Sequence, residues 1–430
     1  MGEVRRVGRY GALLVAAGGI SGVFNLLFNV VIARRGGAAN YGAIGSLLTV
    51  VTVLGIVATG LQYGIARQAA LSSRTSRQLA GPGLRSLLPW AGGALVLGTL
   101  LLPLSGFLRL SSLAPVFLIV AVAVVSVFGA AVSGLLVGFQ RFRIIATLGV
   151  GAAMLRLGMG FLVSRGPAAV TVALTISVVG LVASFLAGLL FLTLGKRAGT
   201  TRAISSGVVE AEGAGGTVGL LGAVIAGALW TIWGLPVLFA RHLLHPAAAG
   251  DFAAAQLLAG SLIWGTAPLV TAYFPTIVRL RTRSAFLHGE VATLILALVG
   301  AAVICVTGPV LVERLYGTSF LIPRPVLAVL TISASATACA TFAAWSALAG
   351  RAHVGQVLIA LLAALGTGTA WDLLVARSPI ALAAAPVLSL LIGGVVFAAM
   401  TRRRTDPGVE AMSEAREVLV PPPAAFEGER

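Results

Sequence analysis

Twelve apolar runs, interrupted by short polar segments, order the chain: 11–33, 43–64, 87–108, 113–138, 145–164, 170–194, 217–240, 253–275, 290–312, 325–348, 356–376 and 380–400. A hydrocarbon core of about 30 Å is crossed by roughly 20 apolar residues in a helix, so each run predicts one membrane-spanning helix. The runs are continuous, which excludes the alternating pattern of a membrane β-barrel. Backbone groups in lipid must then bond within their own segment, as helices do. The first run follows MGEVRRVGRY, has the length of a span and lacks a small-residue cleavage pattern. It is expected to be a retained helix, not a signal peptide. The longest gaps, 65–86 and 195–216, leave no room for an extramembrane domain. The pattern predicts an all-α polytopic membrane protein.

Composition agrees. Of 430 residues, 58% are hydrophobic and 10% charged, with a mean hydropathy of +1.02. Soluble domains carry about 25% charged residues. The net charge of +17 belongs to loop arginines that orient helices, not to a nucleic-acid surface. With both termini in the cytoplasm, the opposite side holds only Arg34, Arg35, Arg109, Arg165, Arg241, Arg314, Arg324 and Arg377 of the 30 basic residues. Arg156 falls within a span. That bias predicts cytoplasmic N- and C-termini and a multi-pass place in the plasma (inner) membrane. The Arg34-Arg35 pair of FNVVIARRGGAANYG therefore lies on the less basic side and is no topology signal. It is expected to cap the C-terminus of its own helix, with the glycines permitting the turn. Cys305 and Cys339 lie inside apolar runs and imply neither a disulfide framework nor a metal centre. Residues 401–430, ending VPPPAAFEGER, are expected to be disordered.

The chain also repeats itself. FNVVIARRGGAANYGAIGSLLTV and LPVLFARHLLHPAAAGDFAAAQLLAG each end an apolar helix in Ala-Arg, turn through small residues and enter another apolar helix. Ala33-Arg34 and Ala240-Arg241 stand 207 residues apart, about half the chain. The same offset maps the later spans of one half onto those of the other. Six spans per half keep both halves in one orientation, a parallel repeat of the kind that holds substrate near the midplane between the halves. The expected division is an N-terminal six-helix lobe at 1–195, a cytoplasmic linker at 196–216, a C-terminal six-helix lobe at 217–400 and the tail.

These elbows carry a family resemblance. ARRGGAANYG, followed by the run to GLQYGIARQAA, resembles the opening of the polysaccharide-synthesis (Wzx-like) flippases of the multidrug/oligosaccharidyl-lipid/polysaccharide exporter superfamily. Gly60, Leu61, Ile65, Ala66 and Arg67 occupy the pattern that closes its second helix. GLLVGFQRFRI at 134–144, LVERLYGTSFLIPRPVLAVLTISA at 311–334 and WSALAGRAHVG at 345–355 are similar to later motifs. Gly36 stands where the family has Leu, and many relatives have fourteen spans. The resemblance implies two lobes about a central cavity that carry a polyprenyl-diphosphate-linked sugar or similar glycolipid to the outer leaflet. It also implies glycosyltransferases or a polymerase of the same pathway as partners, and no cofactor. A peptidoglycan-precursor flippase is a close rival, and a drug/cation antiporter of the same superfamily a more distant one.

Few residues can carry chemistry. A charge at the bilayer centre is costly, which makes Arg156, near the middle of the 145–164 run, the first candidate. Its guanidinium either grips phosphate oxygens in a bidentate fork or is a structural group satisfied within the bundle. Asn25 and Asn29, one turn apart, share a face with which Gln62 and Gln256 could join. Their amides bond either sugar hydroxyls or neighbouring helices. Arg34 is a candidate for releasing a diphosphate on the outer side. The only carboxylate placed within a span is Asp372, read as a polar residue at the interface beside Trp371 or as an ion-coupling site. This scarcity of membrane carboxylates disfavours export of cations. His242 and His245 flank a turn and are expected to be solvated. No catalytic constellation appears, so the chain is not expected to be an enzyme.

Overall fold

The apolar runs fold as helices, and those of the first two runs and of the second half up to 325–348 extend past the runs at both ends. The computed structural model describes residues 2–71, 88–110, 112–139, 141–163, 166, 168–194, 212–280, 283–350 and 354–402. Most of the 196–216 linker and the tail beyond Arg402 lie outside the described residues. The elements are α1 (Gly2–Gly36), α2 (Ala38–Leu71), α3 (Leu88–Thr99), α4 (Leu104–Phe107), α5 (Ala114–Gly138), α6 (Phe142–Gly160), α7 (Ala169–Leu194), α8 (Glu212–Leu243), α9 (Pro246–Leu280), α10 (Arg283–Tyr316), α11 (Arg324–Gly350), α12 (Val354–Leu374) and α13 (Pro379–Arg402). The described residues are nearly all helical, and 11 of these helices are long and apolar enough to cross a membrane. The protein is an all-α polytopic membrane protein.

The third run is the exception to the twelve expected spans. Its described part is a 12-residue helix, α3, followed by turns and the single turn α4. Pro103 caps α4 and has no N–H with which to continue α3, so the run breaks there despite its apolarity.

The packing of the first half recurs in the second. α1 packs on α6, α2 on α5, α3 on α5, α5 on α7 and α6 on α7. Shifted by about one half, α8 packs on α12, α9 on α11, α10 on α11, α11 on α13 and α12 on α13. Contact between the halves runs mainly through α2, which lies against both α8 and α9.

The halves share their largest core at one end, here called the elbow end because α1 turns into α2 there and α8 into α9, and from it α2 stays against α8 as far as Val57 and Gly227. Gly37, at φ 78°, makes the first turn, and its N–H bonds Ala33 O at 2.8 Å. The largest core cluster gathers there from both halves, including Phe28, Ile44 and Tyr41 with Phe252, Tyr316 and Phe320. Two smaller clusters further along the helices each draw on one half only. Small residues let the backbones meet. A Cβ built on Gly250 would lie 1.9 Å from Ala38 O, and one on Gly42 2.9 Å from Gly250 N.

Candidate functional site

Arg156 is held by three elements. On α6 it lies four residues before the helix stops at Gly160, which packs against Phe28 of α1. Its stem crosses Gly180 of α7, where an added Cβ would sit 2.6 Å from Cγ. Nη1 donates to Asn25 Oδ1 at 3.2 Å and Nη2 to Ser177 Oγ at 3.3 Å, while Cζ stands 5.1 Å from the Phe28 ring centroid. Nε is buried with no partner. The cation is thus met by an amide, a hydroxyl and a ring face, and among the described residues no carboxylate bonds it. A desolvated cation–π contact contributes about 2 kcal/mol, and a charged hydrogen bond about 1.5–3 kcal/mol. The charge is solvated without being neutralised, the condition in which a guanidinium retains its attraction for an anion.

A polar thread leads from this cluster to the elbow end. Asn29 Nδ2 donates to Asn25 O at 2.9 Å, and Asn29 Oδ1 accepts from Tyr41 Oη at 3.3 Å. Tyr41, 1% exposed, packs its ring against Tyr316 and Phe320 of the second half, each 6.0 Å away between centroids.

Arg34 does something other than cap its own helix. Its Nε and Nη2 donate to the carbonyls of Leu315 and Arg314, in the last turn of α10. Arg241 reciprocates. Its Nε bonds Leu108 O, just past α4, at 3.1 Å and its Nη1 bonds Ala39 O at 3.3 Å. The offset of 207 residues that relates Arg34 to Arg241 also relates Leu108 to Leu315. Each elbow arginine therefore caps the orphan carbonyls of a helix in the other half, where the dipole is negative. Arg35 Nε bonds Val163 O at 2.9 Å within the first half. His242, expected in solvent, stacks on Phe107 at 4.3 Å and has Nδ1 2.9 Å from Phe107 O. His245 is exposed.

The remaining candidates do not converge on Arg156. Gln62 lines a cavity of about 300 Å³ among α2, α5, α6 and α7, with Thr59, Ser126, Ser133 and Ser184. At about 1.5 Å per residue, Gln62 is roughly 36 Å along α2 from Ala38, whereas Asn25 is roughly 16 Å from the end of α1. Gln256 is buried and donates to Trp233 O. Asp372, expected at the interface, is 0% exposed, and both its carboxylate oxygens lack a hydrogen-bond partner. It lies in the last turn of α12, while Trp371 Nε1 bonds Ala381 O at 2.9 Å. Ser177 and Gly180 escaped the sequence argument. Their signal was a hydroxyl and a glycine three residues apart inside an otherwise bulky run.

No family model matches the sequence, and no curated protein matches it. Solved structures do resemble it. An inward-facing multidrug resistance MATE family transporter of the MOP superfamily superposes with TM-score 0.62 at 14% identity, over 91% of this chain and 99% of that one. The lipid II flippase MurJ in an inward closed conformation gives TM-score 0.64 at 12% identity, over 91% of this chain and 87% of that one. The chain has the fold of the MOP-superfamily transporters. The eukaryotic MATE transporter AtDTX14 agrees, with TM-score 0.60 at 14% identity, over 93% and 95% of the two chains. Within the MOP fold of this protein, the Arg156 cluster lies inside the first half and the reciprocal arginine caps join the halves.

Proposed function

We propose that the chain is a flippase that carries a polyprenyl-diphosphate-linked oligosaccharide, or a similar glycolipid, from the cytoplasmic to the outer leaflet of the plasma (inner) membrane, for cell-surface polysaccharide biosynthesis. The observation that carries this reading is Arg156, a half-buried cation whose partners among the described residues are all neutral and whose buried Nε is unused. Such a group attracts a lipid diphosphate and repels a cationic drug. The MOP fold supports alternating access, in which the lobes 1–195 and 217–400 rock about the elbow end while Arg156 and the Asn25/Asn29 face of α1 hold the cargo. With cytoplasmic termini the elbow end faces outward, closed in the state described. Gln62 and its hydroxyl-lined cavity supply contacts for sugar, and Arg34 contacts the diphosphate once the elbow parts. Asp372, buried and unbonded, is the candidate for ion coupling. Glycosyltransferases or a polymerase of the same pathway supply and consume the cargo.

The likeness to a lipid II flippase favours a peptidoglycan precursor as the second reading. Both cargoes present a diphosphate to Arg156. Arg156→Ala in proteoliposomes is expected to abolish translocation of a polyprenyl-diphosphate sugar while membrane insertion is unchanged, and Arg156→Lys to retain part of it. Wild-type transport by the Ala variant would refute the role. Comparing an oligosaccharide with a muropeptide on the same carrier lipid separates the two cargoes.

A further inference from the structure

A second cationic site lies at the elbow end, apart from Arg156. A cavity of about 250 Å³ is lined by Asn40, Arg109, Ser112, Thr171 and Arg241, with no carboxylate among the described residues of its wall. That volume is below the roughly 300–1,000 Å³ of drug-sized sites and suits a compact polar group. Its two arginines come from different halves of the chain and feel each other's charge. Arg241 uses Nε and Nη1 on Leu108 O and Ala39 O, leaving Nη2 over. The Arg109 guanidinium bonds nothing among the described residues. The cavity wall also includes Pro115 and Thr171, from the first turns of α5 and α7, whose N-termini favour negative charge.

The backbone adds an independent sign. Arg109 has φ 51° and is the one non-glycine residue with positive φ among the described residues. It ends α4, with its N–H on Gly106 O at 3.1 Å and the Leu110 N–H on Ser105 O at 2.9 Å. Glycine is the usual occupant of such a left-handed helix end. Here a long cationic side chain stands in that strained position on the cavity wall, and residues held in sparsely populated backbone regions cluster at ligand sites.

We propose that this cavity binds a phosphate-class anion, a diphosphate or the phosphate of an anionic lipid headgroup, and that the anion locks the elbow end closed. Bridging Arg109 and Arg241 relieves their repulsion and fixes Arg241 on the carbonyls it already holds in the first half. The site does not depend on what Arg156 contacts.

Arg109→Gly gives the test, because it removes the charge, loses no observed bond and suits the left-handed backbone. The full chain is placed in nanodiscs of zwitterionic phosphatidylcholine, and melting is followed with added pyrophosphate. In a second arm, nanodiscs of anionic phosphatidylglycerol replace the pyrophosphate. Wild type is expected to melt at higher temperature with the anion, and Arg109→Gly to need about tenfold or more anion for the same shift while melting no lower without it. Arg109→Lys is expected to keep part of the response. Protection by pyrophosphate alone identifies a diphosphate site, and protection by phosphatidylglycerol that pyrophosphate does not increase identifies a lipid headgroup site. If neither protects the wild type, or if Arg109→Gly responds like the wild type, the site does not exist.

Discussion

The closeness of α9 to the first elbow makes Gly250→Ala the sharpest probe of how the halves meet. The new Cβ would lie 1.9 Å from Ala38 O, 2.6 Å from its carbonyl carbon and 3.0 Å from its Cα. All three are backbone atoms, so no rotamer change relieves the clash. Reaching ordinary contact at 3.4 Å requires the helices to part by about 1.5 Å. Arg241 Nη1 holds the adjacent Ala39 O at 3.3 Å, already near the limit for a hydrogen bond, and loses it on such a movement. Overpacking alone costs about 1–3 kcal/mol. Loss of one charged hydrogen bond adds about 1.5–3 kcal/mol. The sum, roughly 2.5–6 kcal/mol, reaches at its upper end the ~5.5 kcal/mol that carries a two-state equilibrium from 1:99 to 99:1.

Spin labels report the outcome. Ala39 and Leu321 are exposed on opposite halves near the elbow end, and Cys305 and Cys339 are the cysteines to replace first. Introduced as a labelled pair, the two positions are expected to show a single short distance in the parent and a dominant longer one in Gly250→Ala. Gly265→Ala on the same helix is the control, since nothing lies within 4 Å of its added Cβ. An unchanged distance distribution in Gly250→Ala would refute the idea that this contact sets the closed state.

Two further outcomes follow from the polar groups. Tyr41→Phe deletes the bond to Asn29 Oδ1 while keeping the ring stack, and is expected to destabilise the elbow-closed state by about 0.5–1.5 kcal/mol, seen as a larger open fraction with the same spin labels. Asp372→Asn removes a buried carboxylate with no partner, so the variant is expected to melt at higher temperature by the equivalent of about 1–3 kcal/mol and to lose any stabilisation that added cations give the wild type.

The helices were legible because the bilayer imposes a simple rule on composition, and the rule failed only where Pro103 interrupts a run that hydropathy alone reads as continuous. The elbow showed in the sequence as a repeated Ala-Arg followed by small residues. What those arginines bind did not. A helix C-terminus lacks partners whichever helix it belongs to, so spacing along the chain cannot tell a cap on α1 from a cap on α10. The answer depends on which backbones approach, and that was set by Gly42 and Gly250 in contacts made over 200 residues apart. For the same reason His242 looked like a turn residue and proved to be stacked on Phe107.

Arg156 stood out in the sequence because an isolated charge in an apolar run has no local remedy. Its remedy came from α1 and α7, through Asn25, Phe28, Ser177 and the space at Gly180, none of them acidic. A bundle selected only to hide an arginine can pair it with a carboxylate and end the matter. Here the guanidinium remains cationic in its surroundings, and its amide partner Asn25 sits one turn below Asn29, which Tyr41 ties to the seam between the halves. On the reading proposed above, an anion that takes Nη1 of Arg156 as well as its unused Nε or Nη2 displaces Asn25, and so disturbs the helix that also carries Arg34 and its hold on α10. α1 therefore both contacts the Arg156 charge and carries the cap on the other half. A ligand there can shift the balance between closed and open elbow only by the difference in its affinity for the two states, and α1 is where that difference would arise.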